Sequence, residues 1–318
     1  MLHATLGGMD FDWDCIVVGG GAAGLSGALV LGRARRRTLV VDAGRPSNAV
    51  AHGIGGLLGH DGRPPAELYA DGRRELAAYP SVEVRDGEGV DGEALDGGFA
   101  LTLADGGRET ARRVLLATGM DYRLRDLPGF AERWGRSVFH CPFCHGWEVR
   151  ERPLAVLAPG ADGVRLAVLL RSWSDEVTLL ADGPAELSDA EAAQLAAAGV
   201  VVDERPVAGV RGPGEELDAV AFADGSQRAC GGLLVFAPLR ARSELAARLG
   251  AAVAAQQPPG SEMLEVDALQ QTTVPGLYAA GDVAAGMPSV ANAIASGSRA
   301  AMGVVHDLAA AATAVPAA

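Results

Sequence analysis

Residues 15–24 read Cys15-Ile-Val-Val-Gly19-Gly-Gly21-Ala-Ala-Gly24, a short β-branched run that enters a glycine turn. An Ala- and Leu-rich stretch of helical composition follows to about Arg35, and the chain returns as Thr38-Leu-Val-Val-Asp42. Strand, G-x-G-x-x-G turn and helix in that order set a pyrophosphate against a helix N-terminus, where backbone N–H groups and the helix dipole favour negative charge. An acid closing the next strand suits the hydroxyls of an adenosine ribose. The stretch predicts an α/β fold with a dinucleotide site on Gly19, Gly21, Ala22, Ala23, Gly24 and Asp42. Residues 15–32 carry no charge over nearly the length of a membrane span, but glycines punctuate them, and the reading is a turn and helix instead of a span.

The whole chain has 318 residues, 49% hydrophobic and 21% charged, enough for two domains with ordinary soluble cores. Its net charge of −13 opposes phosphate backbones and anionic lipid, so neither nucleic acid nor a membrane is expected as a partner. All 27 basic residues are arginine. Without lysine there is no Schiff base to pyridoxal phosphate and no P-loop lysine. Four cysteines, Cys15, Cys141, Cys144 and Cys230, are too few for a disulfide scaffold of this length, which points to a reducing compartment. The N-terminus, MLHATLGGMDFDWD, has acids where an export signal needs basic residues, so a cytoplasmic location is expected.

The segment His140-Cys141-Pro-Phe143-Cys144-His145 supports three chemistries: c-type haem attachment, zinc, or a redox dithiol. Haem attachment requires export. Zinc would need four ligands crowded into six consecutive residues, a poor tetrahedron, so no metal is expected.

Two later motifs complete the dinucleotide reading. Leu115-Leu-Ala117-Thr118-Gly119 stands mid-chain, and Thr272-Thr-Val-Pro-Gly-Leu-Tyr-Ala-Ala-Gly281-Asp282 leads into an Ala-rich stretch from 288 to 312. Together with the first glycine turn, these resemble the low-molecular-weight thioredoxin reductases over nearly the whole length. The resemblance implies two Rossmann-like dinucleotide-binding domains, the second inserted into a split FAD domain: 10–119 and 243–318 for FAD, 120–242 for the insert. It implies FAD, with Asp42 on the adenosine ribose, Asp282 near the ribityl chain and phosphates, and Asn48, Ala117, Thr118, Gly119, Gly281 and Ala291 along the cofactor. It also implies a homodimer.

In the family the insert holds NADPH. Here the corresponding turn is Ala158-Pro159-Gly160-Ala-Asp-Gly163, and the next strand ends in Ala181-Asp182-Gly183-Pro184, with no arginine cluster to pair a 2′-phosphate. The reading is therefore against NAD(P)H, more firmly for NADPH than for NADH. The cysteine pair occupies the family's redox position, and the resemblance makes Cys141 the sulfur that exchanges with substrate and Cys144 the one that faces the flavin.

Thioredoxin reductases follow the second cysteine with aspartate, whereas this chain has His145. Imidazole titrates near neutrality and can take a thiol proton, with His140 sharing the role. C-x-x-C-H-G with a poor nicotinamide site resembles the flavin-dependent dithiol oxidases of holomycin and gliotoxin biosynthesis. That resemblance implies a small-molecule dithiol as substrate and O₂ as acceptor, giving H₂O₂. A Gly-rich loop, 47–62, brings His52 and His60 as substrate contacts, with Phe143 as an apolar one; Trp147 and Trp173 read as core. The rivals are an NAD(P)H-dependent thioredoxin or disulfide reductase and a flavin-binding redox sensor.

Overall fold

The computed structural model describes residues 10–284 and 286–313. The N-terminal residues 1–9, on which the reading of no export signal partly rests, lie outside the described residues. Two compact units divide the chain: Met1–Ala49, Pro65–Asp121 and Leu239–Ala318 in one, Val50–Pro64 and Tyr122–Pro238 in the other. No helix among the described residues is long and apolar enough to cross a membrane.

The first unit opens with β1 (Trp13–Val18), α1 (Ala22–Arg33) and β2 (Thr38–Asp42). Every residue of β2 and the last four of β1 are buried, as strands covered on both faces must be. After α2 (Pro65–Leu76) come β3 (Val82–Asp86), β4 (Gly89–Leu95), β5 (Gly98–Leu103), β6 (Arg108–Leu116) and the short β7 (Met120–Tyr122). The sheet order is β3-β2-β1-β6-β5-β4, parallel from β3 to β6 and antiparallel from β6 to β4.

The second unit carries β8 (Val138–Phe139), the one-turn α4 (Pro142–His145) preceded by α3 (Phe130–Arg133), β9 (Leu154–Leu157), α5 (Gly160–Leu170), β10 (Val177–Leu180), α6 (Asp189–Ala197) and β11 (Val201–Asp203). A three-stranded antiparallel sheet, β12 (Val207–Arg211), β13 (Ala219–Phe222) and β14 (Gln227–Ala229), interrupts the pattern before β15 (Gly232–Val235). The main sheet is parallel throughout, in the order β11-β10-β9-β15-β8, over cores that include Phe139, Val156, Leu170, Leu180 and Leu233.

The chain then re-enters the first unit through β16 (Leu239–Ala241) and α7 (Leu245–Arg248) to β17 (Leu277–Ala279) and the 24-residue α8 (Val290–Thr313). The long β6 has β1 on one edge, while its other edge is shared: β5 takes the first half and β17 the second. This delivers residues 117–119 and 280–282 beside the glycine turn that follows β1. The result is the α/β architecture of two Rossmann-like units, the second inserted into the first.

Candidate active site

Strand β8 delivers His140 and Cys141 at its end. Cys141 is extended (φ −125°, ψ 110°), and Pro142 opens α4, a position where its missing N–H costs nothing. The Cys144 N–H donates to the Cys141 carbonyl at 3.2 Å, and Cys141 and Cys144 form a disulfide with Cα atoms 5.3 Å apart. Phe143, 63% exposed, meets Trp173 edge-on with ring centres 5.5 Å apart. Trp147 is 65% exposed and so is not the core residue its type suggests; the Arg150 guanidinium covers its ring at 3.8 Å, a cation–π contact in place of burial. Trp173 does pack against the core.

The two flanking histidines differ. His140 lies tilted against Tyr122, ring centres 4.0 Å apart and planes 32° apart, with Trp134 at 5.6 Å. Burial, helped by the charge of His145, pulls its pKa down to about 3, so it is a neutral ring at any working pH. His145 stacks on Phe139 at 5.7 Å, and both its ring nitrogens are buried without a hydrogen-bond partner. Burial lowers its pKa, against the Gly135 and Cys141 carbonyls and the Glu148 charge, which pull the other way. A neutral imidazole with two unpartnered nitrogens is costly in a folded core and calls for a functional explanation.

The loop expected at 47–62 is split. Residues 50–64 group with the second unit instead of the first, because they pack on the redox turn: a Cβ at Gly55 would stand 2.6 Å from the Cys144 carbonyl oxygen, and Arg136 donates to the Val50 carbonyl at 2.9 Å. His52 is exposed and lies 3.0 Å from Glu215, and His60 is exposed with Nδ1 3.3 Å from Arg63. Ser47 and Asn48 stay with the first unit.

In that first unit, the glycine turn after β1 and the segments beside it are the candidate place for a flavin dinucleotide. Gly19 (φ +111°) and Gly24 each lie so close to a backbone carbonyl, of Ala117 and Gly19 respectively, that no Cβ fits, and Gly20 sits directly over the Asp42 carboxylate. Gly21 instead borders open space, and the first turn of α1 has neither a capping side chain nor an acid, so its N–H groups are free for a phosphate. Asp42 accepts from the Gly44 N–H at 3.0 Å and from Arg73. Burial alone would raise its pKa, but Gly44, Arg73 and the Gly20 N–H outweigh it and hold the carboxyl below its ordinary range. At the other end, desolvation pushes Asp282 up to about 6, against the Ser47 hydroxyl at 3.4 Å and Arg242. Tyr69 donates to the Asn48 side-chain oxygen at 2.8 Å. Ala117, Thr118, Gly119 and Gly281 follow β6 and β17 into the same groove, and Ala291 lies in the first turn of α8. Bound FAD would be held by these residues and would supply a two-electron carrier.

A family model described as pyridine nucleotide-disulphide oxidoreductase matches residues 13–297. The chain belongs to the pyridine nucleotide-disulphide oxidoreductase family. It is similar to a protein named thioredoxin reductase tcpT from Claviceps purpurea, 34% identical over 89% of this chain and 90% of that one. It is also similar to the crystal structure of an oxidoreductase from Agrobacterium tumefaciens (TM-score 0.88, 36% identity, covering 95% of this chain and 99% of that one). A further solved structure, that of HlmI, matches at TM-score 0.84 and 37% identity, covering 94% of this chain and 96% of that one. Members of the family generally bind FAD and are typically homodimers.

The family's second dinucleotide turn is altered here. Pro159 precedes α5 and has no N–H to offer, and Asp162 places a carboxylate in the helix's first turn. Gly163 still packs tightly, a Cβ there lying 2.5 Å from the Ala158 carbonyl, so the helix keeps its place on the strand. After β10, Asp182 is already engaged: it accepts from the Val207 N–H and from Arg125, both at 2.6 Å. Nearby, a pocket of about 540 Å³ holds Arg205 and Arg228, which both pair with the buried Asp203. A dinucleotide phosphate at this turn would meet a missing N–H and a carboxylate, both unfavourable to it.

Four residues of the groove carry no motif. Ser47, Tyr69, Arg73 and Arg242 act on Asp282, Asn48 and Asp42, and only the i, i+4 spacing of Tyr69 and Arg73 hints that one helix face serves the site.

Proposed function

We propose that this chain is an FAD-dependent dithiol oxidase that closes a small-molecule dithiol into an intramolecular disulfide, with O₂ as final acceptor. The observation that carries the reading is the second dinucleotide turn, where Pro159, Asp162 and the engaged Asp182 replace the features that hold NADPH. A redox cysteine pair that receives no electrons from that side is set to take them from its substrate.

A substrate thiolate attacks Cys141 Sγ, breaking the Cys141–Cys144 bond and leaving Cys144 as thiolate. The second substrate thiol, deprotonated, attacks the mixed disulfide at the substrate sulfur. The product leaves as a cyclic disulfide, and the enzyme holds two reduced cysteines. His145 is the base that takes the thiol protons and returns them to departing thiolates; its neutral, unpartnered ring nitrogens support this role over the ring of His140 packed against Tyr122. Bound FAD would accept the electron pair of the cysteines and pass it to O₂, giving H₂O₂. Two thiols on one molecule favour the sequence because the ring-closing step is intramolecular. Exposed Phe143 offers the substrate an apolar contact, with His52 and His60 as further candidates. The location proposed is the cytoplasm.

The name of the Claviceps relative, thioredoxin reductase tcpT, supports a second reading, an NAD(P)H-dependent thioredoxin or disulfide reductase. Anaerobic stopped-flow spectroscopy separates the two. A small dithiol is expected to bleach the flavin, with colour and peroxide appearing when air is admitted. Rapid bleaching by NADPH or NADH but not by dithiol would overturn the oxidase reading, and bleaching by neither would favour a redox sensor.

A further inference from the structure

Strands β2 and β3 are parallel neighbours, and their register sets Asp42 beside Asp86, two carboxylates at adjacent strand ends. Arg73 of α2 lies between them, one guanidinium nitrogen on Asp42 and another on Asp86 at 3.0 Å. Asp42 is thereby used on several sides. Its Oδ1 accepts from the Gly44 N–H, its Oδ2 from Arg73, and the Gly20 N–H adds a third donor. A carboxylate offers about four acceptor positions, so roughly one remains for an incoming hydroxyl. Its direction is set by the three donors already in place.

We propose that Arg73, with Asp86 behind it, is the positioning residue for the adenosine half of the dinucleotide, acting through Asp42. Arg73 neutralises what would otherwise be two like charges on neighbouring strands and fixes the Asp42 carboxylate beneath Gly20, so that its one open lone pair meets a ribose hydroxyl. A lysine could supply the charge, but not a planar fork that spans both acids. The inference rests on the reading of the groove as an FAD site, and it extends that reading to a helix carrying no recognised motif. Tyr69, one turn earlier on α2, holds Asn48 in the same unit, so a single helix face reaches both Asp42 and Asn48.

The test uses flavin-free full-length protein titrated with three probes: FAD, ADP as the adenosine half and FMN as the flavin half. Arg73→Gln is expected to weaken FAD and ADP about ten- to a hundredfold, the loss of a charge-assisted contact, while FMN affinity stays within about twofold. Arg73→Lys should recover part of the loss. In an Asp42→Asn background, Arg73→Gln should add nothing further, because the two residues act as one unit. Equal losses for FMN and ADP would mark a general structural role and overturn the proposal. So would unchanged FAD affinity, or a full additional loss in the Asp42→Asn background. Wild-type protein that binds FAD but fails to oxidise dithiols would sink the oxidase reading and leave the Arg73 assignment standing.

Discussion

At the scale of single residues, the two histidines around the disulfide are chemically unlike in a way their adjacency to cysteine conceals. His145 has a lowered pKa and empty ring nitrogens, so its proton-accepting form persists below the ordinary imidazole range near 6.5. The acid limb of kcat/KM for dithiol oxidation is therefore expected below pH 6.5. His145→Gln should lose about 10²- to 10⁴-fold in rate and the limb with it. An unaltered pH profile in that variant would remove His145 from the chemistry. For His140, tilted against Tyr122 and brought down to about 3 by burial, a role in stability is proposed. Its folded pKa lies below its unfolded value of 6.5, so folding favours the neutral ring. The stability it contributes is present above pH 6.5 and drains away as pH falls toward 3, by a few kcal/mol at about 1.4 kcal/mol per unit. His140→Phe keeps the aromatic contact with Tyr122 and should flatten that part of the denaturation profile between pH 6.5 and 3; a slope equal to the wild type would contradict it.

At the scale of elements, the excursion 50–64 is closely fitted to the redox turn. Gly55 leaves no room for a methyl group against the Cys144 carbonyl, a backbone atom that can yield only if α4 moves. Gly53 is equally crowded, but against the Gly62 carbonyl within its own loop, also at 2.6 Å. Gly55→Ala and Gly53→Ala should each cost about 1–3 kcal/mol in thermal unfolding, whereas only Gly55→Ala should slow thiol exchange at Cys141. Equal exchange rates in the two variants would show that the loop does not set the turn. These elements also mark how far the sequence could be read. The β1–α1–β2 run was legible because burial on both faces, glycine crowding and a closing acid all leave local patterns. The allegiance of 50–64 was not, since it depends on contacts with residues some 80 to 160 positions away, Arg136 and Glu215 among them. Arg73 escaped for the same reason: an arginine on an amphipathic helix looks like a solvated charge until its strand neighbours are known.

At the scale of the whole molecule, the split architecture explains why widely separated motifs were readable as one site. Because β6 shares an edge between β5 and β17, residues 117–119 and 281–282 reach the same end of the sheet as the glycine turn. What no motif could reveal is the energetic state of the groove. Asp282 is raised to about 6 by desolvation, so the flavin-free protein carries a carboxyl that folding prefers to keep protonated. Its folded pKa exceeds its unfolded value of 3.8, so its stabilising contribution is full below pH 3.8 and is lost as pH rises through 6. The loss is of the order of 3 kcal/mol at about 1.4 kcal/mol per unit. Asp282→Asn removes the charge while keeping the shape. Flavin-free Asp282→Asn protein is therefore expected to exceed the wild type in unfolding free energy at pH 7, and to match it near pH 4. The same substitution should weaken FAD uptake, since the groove gives up an acceptor to gain that stability. Denaturant unfolding of both flavin-free proteins at the two pH values, together with FAD titration, measures the exchange. A variant no more stable than wild type at pH 7 would show that the groove carries no such strain.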